Sequence, residues 1–180
     1  MAEQQKQTDL PTKRMKHKFI DYYMDIADLT SKLSSAIRLN VGAVIVKGNK
    51  ILGTGYNGMP TGWTNECEYK EYMPGDSRDG ELYPLTEYDP TVESNRRYRL
   101  VTKDEVLHAE MNAIAKVSAS TESSEGSTLF ITHAPCIHCA KAIYQSGIKN
   151  VFYREAYRDT KGLEFLEQGG VNVTKYPIQD

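Results

Sequence analysis

Only three cysteines occur in these 180 residues, and two of them, Cys136 and Cys139, stand three apart. One further thiol, Cys67, cannot build a disulfide framework, so the expected setting is a reducing cytoplasm. No apolar run approaches the ~20 residues that a membrane span requires. The polar stretch Met1 to Thr12 lacks the apolar region of a signal peptide and is expected to be a flexible N-terminus. A membrane partner is therefore not expected. Nor is there a surplus of positive charge: 22 Lys and Arg stand against 24 Asp and Glu, for a net charge of −2. That balance argues against a broad binder of nucleic-acid backbone, whose affinity depends on clustered cations.

What is present suffices for one core. At this length a single domain over residues 13–180 is expected. Phe19, Ile20, Tyr23, Met24, Ala27, Leu33 and Ile37 recur at helical spacing and predict an amphipathic first helix. Val41 to Val46 and Ile51 to Gly55, parted by Gly48-Asn49, read as a hairpin. Later, Ser127 to Thr132 and Asn150 to Arg154 read as strands around a helix from Cys136 to Gln145. Leu163 to Gln168 and Val171 to Tyr176 continue the alternation. Strands alternating with helices predict an α/β fold, a sheet covered on both faces with its later strands parallel. Residues 57–103 form a long insertion rich in Tyr, Pro, Gly and acids, with little periodicity. A solvated insertion and an effector or subunit-contact role remain open for it. Arg96, Arg97 and Arg99 near its end could meet phosphates or form a solvated basic run.

The densest chemistry lies in His108-Ala109-Glu110 and Pro135-Cys136-Ile137-His138-Cys139. Cysteines at i and i+3 on a first helical turn share a face, so both sulfurs can reach one ion. With His108 they make three protein ligands, the number a catalytic zinc uses when its fourth position is kept for water. Residues two apart inside a helix point about 200° apart, so His108 and Glu110 converge only if His108 sits at the helix start. That placement leaves the Ala109 N–H without an intrahelical acceptor. A competing capping box, Thr102-Lys103-Asp104-Glu105, would begin the helix earlier; convergence ranks above it. Pro135 precedes Cys136, which should open a helix whose positive end favours thiolate. A purely structural zinc needs a fourth ligand, for which His138, His133 or Cys67 could serve. Glu110, beside the metal, suits proton transfer instead.

These residues resemble the zinc-dependent cytidine and deoxycytidylate deaminase superfamily, whose signature is a histidine two before a glutamate followed by Pro-Cys-x-x-Cys. Val41-Gly42-Ala43-Val44-Ile45-Val46, Gly55-Tyr56-Asn57-Gly58-Met59-Pro60, Cys139-Ala140-Lys141-Ala142-Ile143 and Gln145-Ser146-Gly147-Ile148-Lys149 are similar to its deoxycytidylate branch. The likeness runs from about Phe19 to Pro177. It implies a three-layer α/β/α sandwich around a mixed five-stranded sheet and one catalytic Zn2+ held by His108, Cys136 and Cys139. It implies hydrolysis of dCMP to dUMP and ammonia, supplying dUMP for thymidylate synthesis. A zinc-activated hydroxide would attack C4 of the base while Glu110 shuttles protons. Ala109 would bond the cytosine O2 through its N–H and Asn57 the sugar hydroxyl. Arg38 and Arg158 would meet the phosphate, and Tyr157 would close over the ring. Gly55, Tyr56 and Gly58 would contribute to an effector site for dCTP or dTTP, with Mg2+ accompanying a triphosphate effector, in a hexamer. Some relatives carry a second zinc on upstream cysteines; Ala36 and Ile37 stand there instead. Rival readings are a tRNA adenosine deaminase, a free-cytidine deaminase and a non-catalytic zinc module. The lack of a basic surplus argues against the first, His108 in place of the usual cysteine against the second, and Glu110 against the third.

Overall fold

The computed structural model describes residues 15–75, 80–156 and 159–176, so the N-terminal stretch 1–12 lies outside the described residues. Two strands, β1 (Gly42–Lys47) and β2 (Lys50–Tyr56), form the expected hairpin. Its turn places Gly48 at φ 61°, a left-handed conformation that glycine adopts without steric cost. On its other edge β1 pairs antiparallel with β6 (Thr128–His133). From there β7 (Asn150–Glu155) and β8 (Asn172–Lys175) add in parallel, giving the order β2-β1-β6-β7-β8.

Alternation along the central strands makes both faces of this sheet apolar. Ala43, Ile45, Leu129, Ile131 and Val151 face α2 (Ala109–Ser118), α3 (Ile137–Gln145) and α4 (Lys161–Gln168), meeting Ala113, Val117, Ile143 and Leu166. Val44, Val46 and Phe130 face the other way, onto Ile20, Tyr23, Met24 and Ala27 of α1 (His17–Ser31). Phe130 stacks on Phe152 at 5.2 Å between centroids. The expected three-layer α/β/α sandwich around a mixed five-stranded sheet is thus present. Each large side chain withdrawn from water here contributes on the order of 1.5–3 kcal/mol before entropy is counted.

Two sequence expectations are corrected. The first helix stops at Ser31, leaving Leu33 and Ile37 outside it and exposed. Their spacing fits a helix, but the backbone N–H groups of Ile37 and Arg38 are taken by the Glu68 carboxylate at 3.1–3.2 Å. Second, the long insertion, in which the sequence pattern predicts no regular element, carries regular structure. It contains a three-stranded antiparallel sheet of order β3-β5-β4, built from β3 (Glu68–Tyr72), β4 (Leu85–Asp89) and β5 (Ser94–Thr102). Few of its side chains are buried, so the apolar alternation that betrays a half-buried strand is missing.

Glycines let helices lie directly on strands. A Cβ at Gly42 would stand 2.0 Å from the Ala27 carbonyl oxygen of α1. One at Gly55 would stand 2.1 Å from the Ala109 carbonyl oxygen and 2.5 Å from the Ala113 nitrogen. Backbone cannot yield as a side-chain tip can. Gly55→Ala should therefore lower unfolding free energy by about 1–3 kcal/mol, whereas Gly75→Ala, which meets open space, should stay within about 0.5 kcal/mol. Denaturant midpoints measured at unchanged slope would check both.

Candidate active site

Parallel α/β sheets open a crevice beyond the carboxyl ends of their strands. At that end of β6 the chain passes through Ala134 and Pro135 to Cys136, the cap residue of α3. Cys136 has extended backbone (φ −70°, ψ 168°), and Cys139 lies one turn into the helix. Opposite, His108 caps α2 with φ −74° and ψ 153°, its carbonyl accepting the first helical bond from Asn112 N–H at 3.0 Å. The capping box at Thr102 does not begin the helix, because Thr102 ends β5. Convergence of His108 and Glu110 at a helix start is therefore the geometry present.

The donor atoms fit a tetrahedral metal. Nδ1 of His108 lies 3.6 Å from Cys136 Sγ and 3.3 Å from Cys139 Sγ, and all three donors fall within 4.8 Å of one another. Zinc bonds of about 2.0–2.3 Å at tetrahedral angles require donor separations near 3.5–3.8 Å. Nδ1 is thus the ligating ring atom. Among the described residues only these three form such a group. His138 is exposed and outside it. Cys67 is buried elsewhere, with Ala36, Val106 and Met59. His133 shares the cavity wall but bonds Thr132 Oγ1 through its own Nδ1 at 3.1 Å. The three candidates for a fourth ligand are thus all directed elsewhere, so the centre is open.

Charge within the cluster is strongly organised. Cys139 donates to Cys136, whose thiol is held at about 3 by that bond and by His108. Cys139 is correspondingly pushed upward, by the same bond and by burial. Bonding to Cys136 raises His108. Metal binding to such donors displaces the protons they carry. Glu110, only 4% exposed, is pushed up to about 7 by burial, against the lowering effect of its backbone bond and His108.

A cavity of about 300 Å³ opens beside this cluster, at the lower end of the size range of small-molecule sites. His108, Ala109, Glu110 and Cys136 form its floor, and Val41, Asn57 and Arg38 stand on its wall. Helix geometry leaves the Ala109 N–H available there. Asn57 is gripped from two sides, its Oδ1 accepting Val41 N–H at 2.7 Å and its Nδ2 donating to the Leu39 carbonyl at 2.8 Å. Arg38 Nη1 donates to Thr102 Oγ1 at 3.0 Å. Tyr157 and Arg158 lie outside the described residues. Gly55 packs on α2, and Tyr56 gives its carbonyl to Asn112 Nδ2 at 2.7 Å. Gly58 bridges Leu107. Sequence reasoning did not find Val106, nor Glu68 and Thr102 of the insertion, on the wall of this cavity. Nor do the three arginines reach it. Arg96 pairs with Asp89 and lies over Tyr72, Arg97 donates to the Gly80 carbonyl, and Arg99 pairs with Glu71.

An α/β/α sandwich carrying an open nitrogen-and-two-sulfur centre at two helix starts is the framework of a metal-dependent enzyme. The family model of the cytidine and deoxycytidylate deaminase zinc-binding region matches residues 17–155, and the chain belongs to that family. It is 34% identical over 170 residues to the deoxycytidylate deaminase of Enterobacteria phage T4, covering 86% of this chain and 88% of that protein. Against the human deoxycytidylate deaminase it is 34% identical over 163 residues, covering 87% and 78%. Among solved structures, the dCMP deaminase of cyanophage S-TIM5, in complex with dCMP and dUMP, superimposes with a TM-score of 0.72. That match has 40% identity and covers 90% of this chain and 99% of the other.

If three side chains hold the metal, Cys136→Ser and His108→Ala should each abolish stoichiometric zinc in the purified protein. Cys67→Ser should retain it, as elemental analysis would read. Proton release on zinc addition should accompany binding, because cysteine binds the metal as thiolate and histidine as the neutral ring.

Proposed function

We propose that this protein hydrolyses dCMP to dUMP and ammonia. The observation that carries the reading is a cluster of three metal donors, His108, Cys136 and Cys139, of which His108 and Cys136 line a cavity together with a buried carboxyl, Glu110. Similarity to proteins named deoxycytidylate deaminase, and to one solved with dCMP and dUMP, supports the choice of substrate.

His108, Cys136 and Cys139 hold the metal through one nitrogen and two sulfurs. A bound zinc supplies a Lewis acid that lowers the pKa of water toward neutrality. Glu110 is the proton carrier. Its carboxylate accepts a proton from the attacking water and delivers it to N3 of cytosine, then takes the proton of the new C4 hydroxyl and gives it to the amino group, which leaves as ammonia while the C4 carbonyl forms. Burial suits it to this exchange, because a carboxyl with pKa near the working pH both takes and gives protons. At the base edge, the Ala109 N–H donates to the cytosine O2, fixing the ring so that C4 faces the metal. Asn57 orients the sugar, and Arg38 takes the 5′-phosphate. A fixed guanidinium matches phosphate oxygens better than a flexible ammonium does.

No element of this scheme requires a basic protein. The substrate carries its charge on one phosphate, and one local cation answers it.

Glu110→Gln should keep zinc and fold while turnover of dCMP falls by about 10²–10⁴-fold, the usual contribution of general acid–base catalysis. Ammonia release with dCMP, CMP, deoxycytidine and dCTP as parallel substrates reads both activity and preference. Full activity in the Gln variant would sink the role of the carboxylate, and indifference to dCMP would sink the substrate.

A further inference from the structure

Arg38 lies in the irregular stretch between α1 and β1, where nothing in regular secondary structure fixes its direction. Three sets of contacts do so instead. From one side, Ser34 Oγ donates to the Asn57 carbonyl at 2.7 Å, and the Asn57 side chain spans Leu39 and Val41. Beneath, Ala36 is buried against Cys67, Val106 and Met59. From the other side, the Glu68 carboxylate accepts the backbone N–H groups of Ile37 and Arg38, while Thr102 Oγ1 accepts the Arg38 guanidinium. Glu68 and Thr102 face each other as the terminal pair of the β3–β5 ladder. Both line the cavity with Arg38.

We propose that Glu68 and Thr102 are positioning residues through which the inserted sheet aims Arg38 at the cavity and sets the preference for a 5′-phosphorylated nucleotide over the nucleoside. The inference rests on the reading of this cavity as the dCMP site with Arg38 at the phosphate. Glu68 fixes the backbone and Thr102 the side chain. An exposed arginine otherwise samples many rotamers, and holding one beforehand removes that cost from binding. The carboxylate of Glu68 bonds two backbone N–H groups rather than the guanidinium. Arg38 Nη1 turns to the Thr102 hydroxyl instead. A hydroxyl is a neutral acceptor, so the full positive charge remains for an anion.

The test compares kcat and KM for dCMP and deoxycytidine in the zinc-loaded wild type and in the variants Arg38→Ala, Thr102→Val, Thr102→Ser and Glu68→Ala. Thr102→Val should raise KM for dCMP about three- to tenfold, the value of one hydrogen bond. Its kcat should be preserved and deoxycytidine turnover left as in wild type. Thr102→Ser, which keeps the hydroxyl, should restore wild-type KM. Glu68→Ala should raise KM for dCMP at least as much. Loss of the phosphate preference in Arg38→Ala, with wild-type preference in Thr102→Val and Glu68→Ala, would overturn this inference alone. An unchanged preference in Arg38→Ala would overturn the phosphate role of Arg38 and the inference with it. Equal losses on both substrates would reduce Glu68 and Thr102 to structural supports and likewise overturn it. Thr102→Val decides the matter alone if Glu68→Ala does not accumulate as folded protein.

Discussion

The structure depends on bringing the starts of two helices, α2 and α3, close enough for donors from each to meet around one point. Helix starts lie at surfaces by default, and side chains there do not converge unless the helices are seated tightly on the sheet. Small residues provide the seating. Gly55 lets β2 touch the backbone of α2, and Ala109, Ala113 and Ala140 are fully buried along the contact faces. Behind the cysteine loop, a Cβ at Gly162 of α4 would stand 2.0 Å from the Pro135 carbonyl oxygen, so α4 presses directly on the residue before Cys136. The 3.3 and 3.6 Å separations around His108 Nδ1 are set by backbone rather than by flexible side chains.

Exposure is graded across the centre. His108 is exposed, Cys136 is intermediate, and Cys139 and Glu110 are buried. The buried pair fixes the geometry from below, where reorganisation would cost core packing. The exposed ligand faces the cavity, where a reactant must approach. Burial of Glu110 serves both ends, since it holds the carboxyl in one place and raises its pKa to about 7. The N-termini of α2 and α3 both point their unpaired N–H groups at this region, which favours negative charge on the thiolates and on a reacting oxygen.

Legibility from sequence followed the range of the interactions. His108, Glu110, Cys136 and Cys139 were readable because each pair is local, and helix geometry, with His108 and Cys136 as cap residues, dictates which side chains converge. The core strands were readable because both their faces are apolar, which leaves runs such as Val44-Ile45-Val46. Leu33 and Ile37 misled for the converse reason. They carry helical spacing, but the helix ends at Ser31, and at Ile37 and Arg38 the Glu68 carboxylate captures the backbone. Glu68 and Thr102 were invisible to pattern reading, since an isolated acid and a threonine in a polar stretch resemble any solvated strand. The second sheet hid similarly. Its order rests on cross-strand contacts such as Arg96 over Tyr72, Arg99 with Glu71, and Lys70 with Glu87, which leave no hydrophobic period.

Attachment of the insertion to the rest of the molecule is concentrated where it meets the cavity. Exposed ion pairs are weak sources of stability, and Tyr69, Leu85 and Tyr88 on this sheet remain open to solvent. It therefore lacks a substantial core of its own and must be stabilised by attachment. The attachments cluster at one end of the ladder. Lys103 N–H bonds the Cys67 carbonyl at 2.9 Å, Cys67 packs with Ala36 and Val106, Gly58 bridges Leu107, and Glu68 binds the backbone at Ile37 and Arg38. At the far end of the β3–β5 ladder, Tyr72 faces Tyr98. The anchored pair, Glu68 and Thr102, thus stands at the cavity wall. A sheet held this way can vary in its outer strands without disturbing the wall. A change at the anchored end reaches Arg38 directly.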